Sequence, residues 1–130
     1  MTVELRLELK QRADDEAIRI FGRNLEQLLL AAPAGGRAVV GLDPGFRTGV
    51  KVAAVSRTGA VAETDTWYLH QGERFAQALV RFVARHRAEL VAIGNGTASR
   101  ETEQLAREAL ASPAARDALL GAGVRRRWWS

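Results

Sequence analysis

The apolar residues of this chain change their spacing at Pro33-Ala34-Gly35-Gly36, and that change sets a leading helix apart from the α/β pattern that follows. Before the break, Ala17, Ile18, Phe21, Leu25, Leu28 and Leu29 recur at three- and four-residue steps, the repeat of one helical face. Arg12, Asp15, Arg19, Arg23 and Glu26 fall largely off that stripe. Upstream, Leu5, Leu7 and Leu9 alternate with charges, which is a strand period. The good helix formers Glu, Leu, Arg and Lys, with no turn residue between them, still favour helix there. Pro33 and the two glycines end it in a short hinge.

Beyond the hinge the pattern is that of strands and crossovers. Ala38-Val39-Val40, within Arg37 to Leu42, suits a strand covered on both faces. Asp43-Pro44-Gly45 forces a turn, and Val50 to Ser56 is the second strand. Arg57-Thr58-Gly59 is a hairpin signal before a third strand from about Ala60 to Leu69. A helix over Glu73–His86 carries the buried stripe Phe75, Leu79, Phe82 and Val83. Leu90-Val91-Ala92-Ile93 is a fourth strand, followed by the loop Gly94-Asn95-Gly96 and a helix over Ser99–Ala111. Thr97 or Ser99 is the natural N-cap, with Glu101 and Glu103 in the first turn. Ser112-Pro113 stops that helix, Ala114 to Leu120 can form another, and Gly121-Ala122-Gly123 breaks it. The order predicts an α/β domain with a mixed sheet and flanking helices. Its first three strands are antiparallel and its fourth is parallel to the first, because a strand reached through a helix crossover runs that way. A sheet of this order wants a fifth apolar strand, and Val124-Arg125-Arg126-Arg127-Trp128-Trp129-Ser130 does not supply one. The edge beside the fourth strand is therefore expected to be open, inviting association and leaving marginal stability.

Charge has to be located before it is interpreted. Residues 1–112 hold 15 Lys/Arg and 14 Asp/Glu, so the pI of about 10.6 is mostly a property of the last 18 residues. Phosphate capture needs a patch, and the folded part shows no obvious excess. The absence of cysteine excludes a disulfide scaffold, a thiolate metal site and a thiol nucleophile. No apolar run approaches the roughly 18 residues of a membrane span. The N-terminus has no signal-peptide core, and no membrane partner is expected.

Two stretches have the composition of a chemical site. In Val40-Gly41-Leu42-Asp43-Pro44-Gly45-Phe46-Arg47-Thr48-Gly49-Val50-Lys51, an apolar strand ends in Asp and turns at once, setting a carboxylate at the strand tip. Such a group can hold Mg²⁺ for phosphoryl transfer, or can bond its own backbone in an ordinary Asp-Pro-Gly turn. In Gly94-Asn95-Gly96-Thr97-Ala98-Ser99-Arg100, a Gly-rich loop opens a helix, either as an anion site beside Arg100 or as a satisfied cap. Parallel neighbouring strands would bring this loop to the same sheet edge as Asp43.

The stretch Gly41 to Val52 closely resembles the YqgF-like domain of the Tex family of bacterial transcription accessory proteins. Ala92-Ile93-Gly94-Asn95-Gly96-Thr97-Ala98-Ser99-Arg100-Glu101-Thr102 resembles a second signature of that family, and Leu28 to Gly35 looks like its lead-in. The likeness runs over roughly residues 3–123. It implies residues 1–34 as a lead-in helix, 35–123 as an incomplete RNase H-like domain related to RuvC resolvases, and 124–130 as an aberrant Arg/Trp tail. It also implies a piece of a much longer cytoplasmic protein, whose helical, helix-hairpin-helix and OB-fold RNA-binding parts lie outside this chain. RNA or DNA is then the expected partner, with the transcription machinery as a second.

RNase H-like nucleases hold two Mg²⁺ with three or four carboxylates. On this resemblance Asp43 fits the first position, neutral Asn95 falls at the second, and the third lies past the chain. Glu101 and Glu103 are expected to face solvent. The resemblance therefore implies a vestigial site at Asp43 and Asn95 with no nuclease activity and no cofactor. Mg²⁺ enters only in the alternative of a YqgF-type nuclease or Holliday-junction resolvase. Arg47, Thr48, Lys51, Asn95, Thr97, Ser99 and Arg100 are the candidate nucleic-acid contacts, although hairpin charges such as Arg47 and Lys51 are usually just solvated. An actin-like ATPase half is a third reading, since Gly41-Leu42-Asp43-Pro44-Gly45 loosely echoes that phosphate loop, but no second Asp-x-Gly loop follows. The tail either is an RNA-binding patch or is out of frame, because two Trp codons shifted by one base contain a Val codon. His70 and His86 are expected in surface or cap roles. Trp67 and Tyr68 are expected on opposite faces of the third strand.

Overall fold

The computed structural model describes residues 15–30, 37–45 and 49–124. The Leu5–Leu9 stretch, the Pro33–Gly36 hinge and the Arg/Trp tail lie outside the described residues, as do Arg47 and Thr48. Helix α1 (Asp15–Leu30) leads into strands β1 (Val39–Asp43), β2 (Val50–Val55) and β3 (Val61–Trp67). Helix α2 (Gly72–His86), strand β4 (Leu90–Ile93) and helices α3 (Ser99–Ala111) and α4 (Pro113–Gly121) follow. The sheet order is β3-β2-β1-β4, with β1 antiparallel to β2, β2 antiparallel to β3, and β4 parallel to β1. This is the mixed sheet that the order of elements predicts.

Every residue of β1 and β2 is buried, because the two sheet faces are covered by different helices. Val40, Leu42, Val50, Val52 and Ala54 point into the main core with Phe75, Leu79, Phe82 and Val83 of α2. These four α2 residues are the stripe read from the sequence. Trp67 closes this core edge-on to Phe75 and Phe82, with ring centroids 5.7 and 5.2 Å away. Its neighbour Tyr68 is exposed. The opposite face receives α1, whose Phe21 and Leu25 pack on Ala53 and Val55. That docking requires Gly41, because a β-carbon there would overlap Leu25 Cδ2 and lie 3.2 Å from Phe21 Cζ. The β2–β3 register shifts between Ala54 and Val55. A shift of one residue turns side chains to the other face. Val61 therefore joins Phe21 and Leu25, while Glu63, two residues on, faces α2.

Four expectations need revision. Neither Thr97 nor Ser99 caps α3; Ala98 stands at the N-cap and makes no side-chain cap bond. Instead Thr102 Oγ1 donates to the Ala98 carbonyl at 2.8 Å, inside the helix. Ser112, expected only to stop α3, also starts α4: its Oγ accepts from the Ala115 amide, with Pro113 at the first helical position. Val124, assigned to the tail, is buried in the main core, and its amide donates to the Leu119 carbonyl at 2.8 Å. His86 has neither a surface nor a cap role. Its ring packs on Phe82 and its Nε2 lies 2.6 Å from Glu63 Oε1.

Glu63 also receives Arg85 Nη1 at 2.8 Å, so the carboxylate joins the end of α2 to the edge strand. The His86 hydrogen bond, ahead of Arg85, holds the Glu63 carboxyl below its ordinary 4.5. A carboxyl lowered by folding stabilises the native state above its unfolded pKa, and that contribution is lost as pH falls through the folded pKa. Glu63→Gln is therefore expected to lose stability at pH 7 by about 1 kcal/mol. It should also decline less steeply than the parent below pH 4.5. Urea titrations at stepped pH check both, and parallel acid limbs would refute the assignment.

Candidate functional site

The site is built where β1 and β4 separate at the sheet tip. Asp43 ends β1, and Pro44-Gly45 turns the chain away. On the neighbouring strand the Gly94 amide donates to the Leu42 carbonyl at 2.7 Å, carrying the parallel ladder one residue past β4. A β-carbon on Gly94 would sit 3.5 Å from Asp43 Oδ1 and 3.5 Å from Pro44 Cδ. The β4 loop thus runs alongside the carboxylate at ordinary contact distance. The two stretches singled out in the sequence do meet here. Asn95, Gly96 and Thr97 are exposed at the rim, Ser99 is half-buried, and Arg100 is exposed in the first turn of α3.

The electrostatics of the tip are set by burial first and by Lys51 second. Asp43 and Lys51 are direct partners in the antiparallel ladder, which places both side chains on the face that α1 covers farther along. Lys51 is only 3% exposed and Asp43 7%, so the expectation of a solvated hairpin charge fails for Lys51. The alternation of β2 carried this signal. Val50 and Val52 face the main core, so Lys51 between them has to face the other way, opposite Asp43. Burial pushes the Asp43 carboxyl above its ordinary 3.8, while the Lys51 charge pulls it back down. A carboxyl raised by folding costs stability above its folded pKa and recovers it on acidification.

Carboxylates elsewhere do not join Asp43. Glu101 is exposed on α3, and Glu103 pairs with Arg107 at 2.8 Å. Among the described residues no group of three His, Cys, Asp or Glu converges that could hold a metal ion. Among the described residues the ladder partner of Asp43 is the buried Lys51, an ammonium group where a pair of Mg²⁺ ions would call for a further acid. Among the described residues no helix is long and apolar enough to cross a membrane.

A four-stranded mixed sheet with helices on both faces and an aspartate at the tip of its first strand defines an RNase H-like α/β domain. The Tex protein YqgF-like domain family matches residues 37–120, and the chain belongs to that family. It is 56% identical to Protein YhgF of Escherichia coli (strain K12) over 106 residues, covering 80% of this chain and 14% of that protein. It is 51% identical to Protein tex of Bordetella pertussis over 107 residues, covering 79% and 14%. S1 RNA-binding domain-containing protein 1 of Homo sapiens is 45% identical over 102 residues, covering 77% and 10%. The chain thus spans about one-seventh of the length of its bacterial relatives.

Proposed function

We propose that this domain is a catalytically silent, nucleic-acid-interacting module of a cytoplasmic Tex-like protein, engaging RNA or DNA beside the transcription machinery. The observation that carries this reading is the buried Lys51 directly opposite Asp43, where two-metal hydrolysis would need further negative charge. Relatives named as a transcriptional accessory protein and as an S1 RNA-binding domain-containing protein support the nucleic-acid context. In this reading the contact surface is the rim of Asn95, Thr97, half-buried Ser99 and Arg100, with Arg47 and Thr48 as further candidate contacts. Lys51 contributes charge balance from inside.

The chain is expected to leave a branched DNA and an RNA:DNA hybrid intact at millimolar Mg²⁺. Cleavage that disappears in Asp43→Asn would establish the YqgF-type nuclease or Holliday-junction resolvase instead. Binding is tested by salt-titrated anisotropy with single-stranded RNA and DNA. Replacing Arg125, Arg126 and Arg127 by Ala should preserve the site-dependent part of the affinity, and Arg100→Ala should weaken it about three- to tenfold. Affinity that depends on the tail arginines and ignores Arg100 would place binding outside the domain.

A further inference from the structure

We infer that Lys51 is a tethered counter-cation for Asp43, taking the electrostatic part that a divalent metal plays at this strand tip in two-metal nucleases, so that the tip is closed to Mg²⁺. The inference rests on the silent-module reading and deepens it by naming the residue that enforces silence.

The geometry carries it in three steps. Asp43 and Lys51 are cross-strand partners on one face, both nearly inaccessible. Buried lysine is rare without a charge partner, and Lys51 is the charged residue whose field acts on the Asp43 carboxylate. Lys51 lies opposite Asp43 in the ladder and its charge acts on the carboxylate, so a dication drawn to Asp43 also meets a like charge there. Among the described residues the β4 wall of the tip adds no acidic side chain. Gly94, beside Asp43 Oδ1, has no side chain, and Asn95 is turned to the exposed rim. Mg²⁺ needs a near-octahedral set of oxygen ligands and usually at least one free carboxylate, and here the carboxylate is buried with a lysine as its ladder partner.

The test uses the full chain and Mn²⁺ as the probe, with free Mn²⁺ read by electron paramagnetic resonance and stability by thermal unfolding. The parent chain should show no Mn²⁺ binding that depends on Asp43 at millimolar metal. Lys51→Glu should acquire a site at least about tenfold tighter, raise its Tm when Mn²⁺ is added, and lose both effects when combined with Asp43→Asn. Parent binding that Asp43→Asn abolishes, or a folded Lys51→Glu that binds no better than the parent, would overturn the inference. A second measurement covers the case in which Lys51→Glu does not fold. Lys51→Met should lower the Tm of the parent chain clearly more than it lowers the Tm of Asp43→Asn. Equal shifts in the two backgrounds would also overturn the inference. Parent Mn²⁺ binding without nucleic-acid cleavage would sink the counter-cation alone, whereas cleavage would sink the silent module.

Discussion

Gly49→Ala is expected to cost roughly 2–5 kcal/mol of unfolding free energy. Gly49 immediately precedes β2 with φ +80, a left-handed backbone that disfavours any side chain. Space is as restrictive as the dihedral angle. A β-carbon there would lie 2.8 Å from Tyr68 Cε1, 2.9 Å from Thr66 Cγ2 and 3.0 Å from the Trp67 carbonyl oxygen. The carbonyl belongs to the β3 ladder and cannot give way without shifting the Val50↔Trp67 pair. Relief would therefore have to come from the turn that separates Asp43 from Lys51, so the substitution should disturb the site as well as the stability. Gly121→Ala is the control: it lies at the end of α4 with nothing within 4 Å, and should be neutral or stabilising by up to about 1 kcal/mol. Urea unfolding of the two variants checks the contrast, and equal midpoints would refute the account.

Leu25→Ala should cost about 2–5 kcal/mol, since Leu25 is fully buried between α1 and the sheet. Its δ-carbons occupy the space that Gly41 leaves empty. Gly41→Ala alone should cost about 1–3 kcal/mol by overpacking. Made together, the two changes should cost less than their sum, because the cavity left by one accepts the methyl group of the other. Chemical denaturation of the four chains measures this coupling. Additive costs would mean that α1 does not lie on β1 at Gly41. Loss of this docking would bare Ala53 and Val55 and convert the α1 face of the sheet into an association surface.

Much of the fold was legible because its signals are local. The three- and four-residue repeat of Ala17, Phe21 and Leu25 and the stripe Phe75, Leu79, Phe82 and Val83 each mark one helical face, and those residues are buried. Arg57-Thr58-Gly59 closes its hairpin, with the Ser56 amide donating to the Ala60 carbonyl at 2.9 Å. Less local features escaped. The α3 cap was misread because Ser99 and Thr97 have the right chemistry, but the loop leaving β4 runs along Pro44 and presents Ala98 at the cap position instead. His86 was misread because its partner, Glu63, lies 23 residues away on a strand whose facing depends on an irregular register.

The candidate site divides in the same way. The strand-tip position of Asp43 and the glycine loop after β4 follow from an apolar run ended by a turn and from a parallel helix crossover, both of which depend on residue type and order alone. Whether Lys51 is a solvated hairpin charge or the buried partner of Asp43 depends on strand register and on which helix covers which face, and those are set by long-range packing. Burial alters the energy of a charge far more than sequence neighbours do, so the character of this site was decided only in the folded molecule.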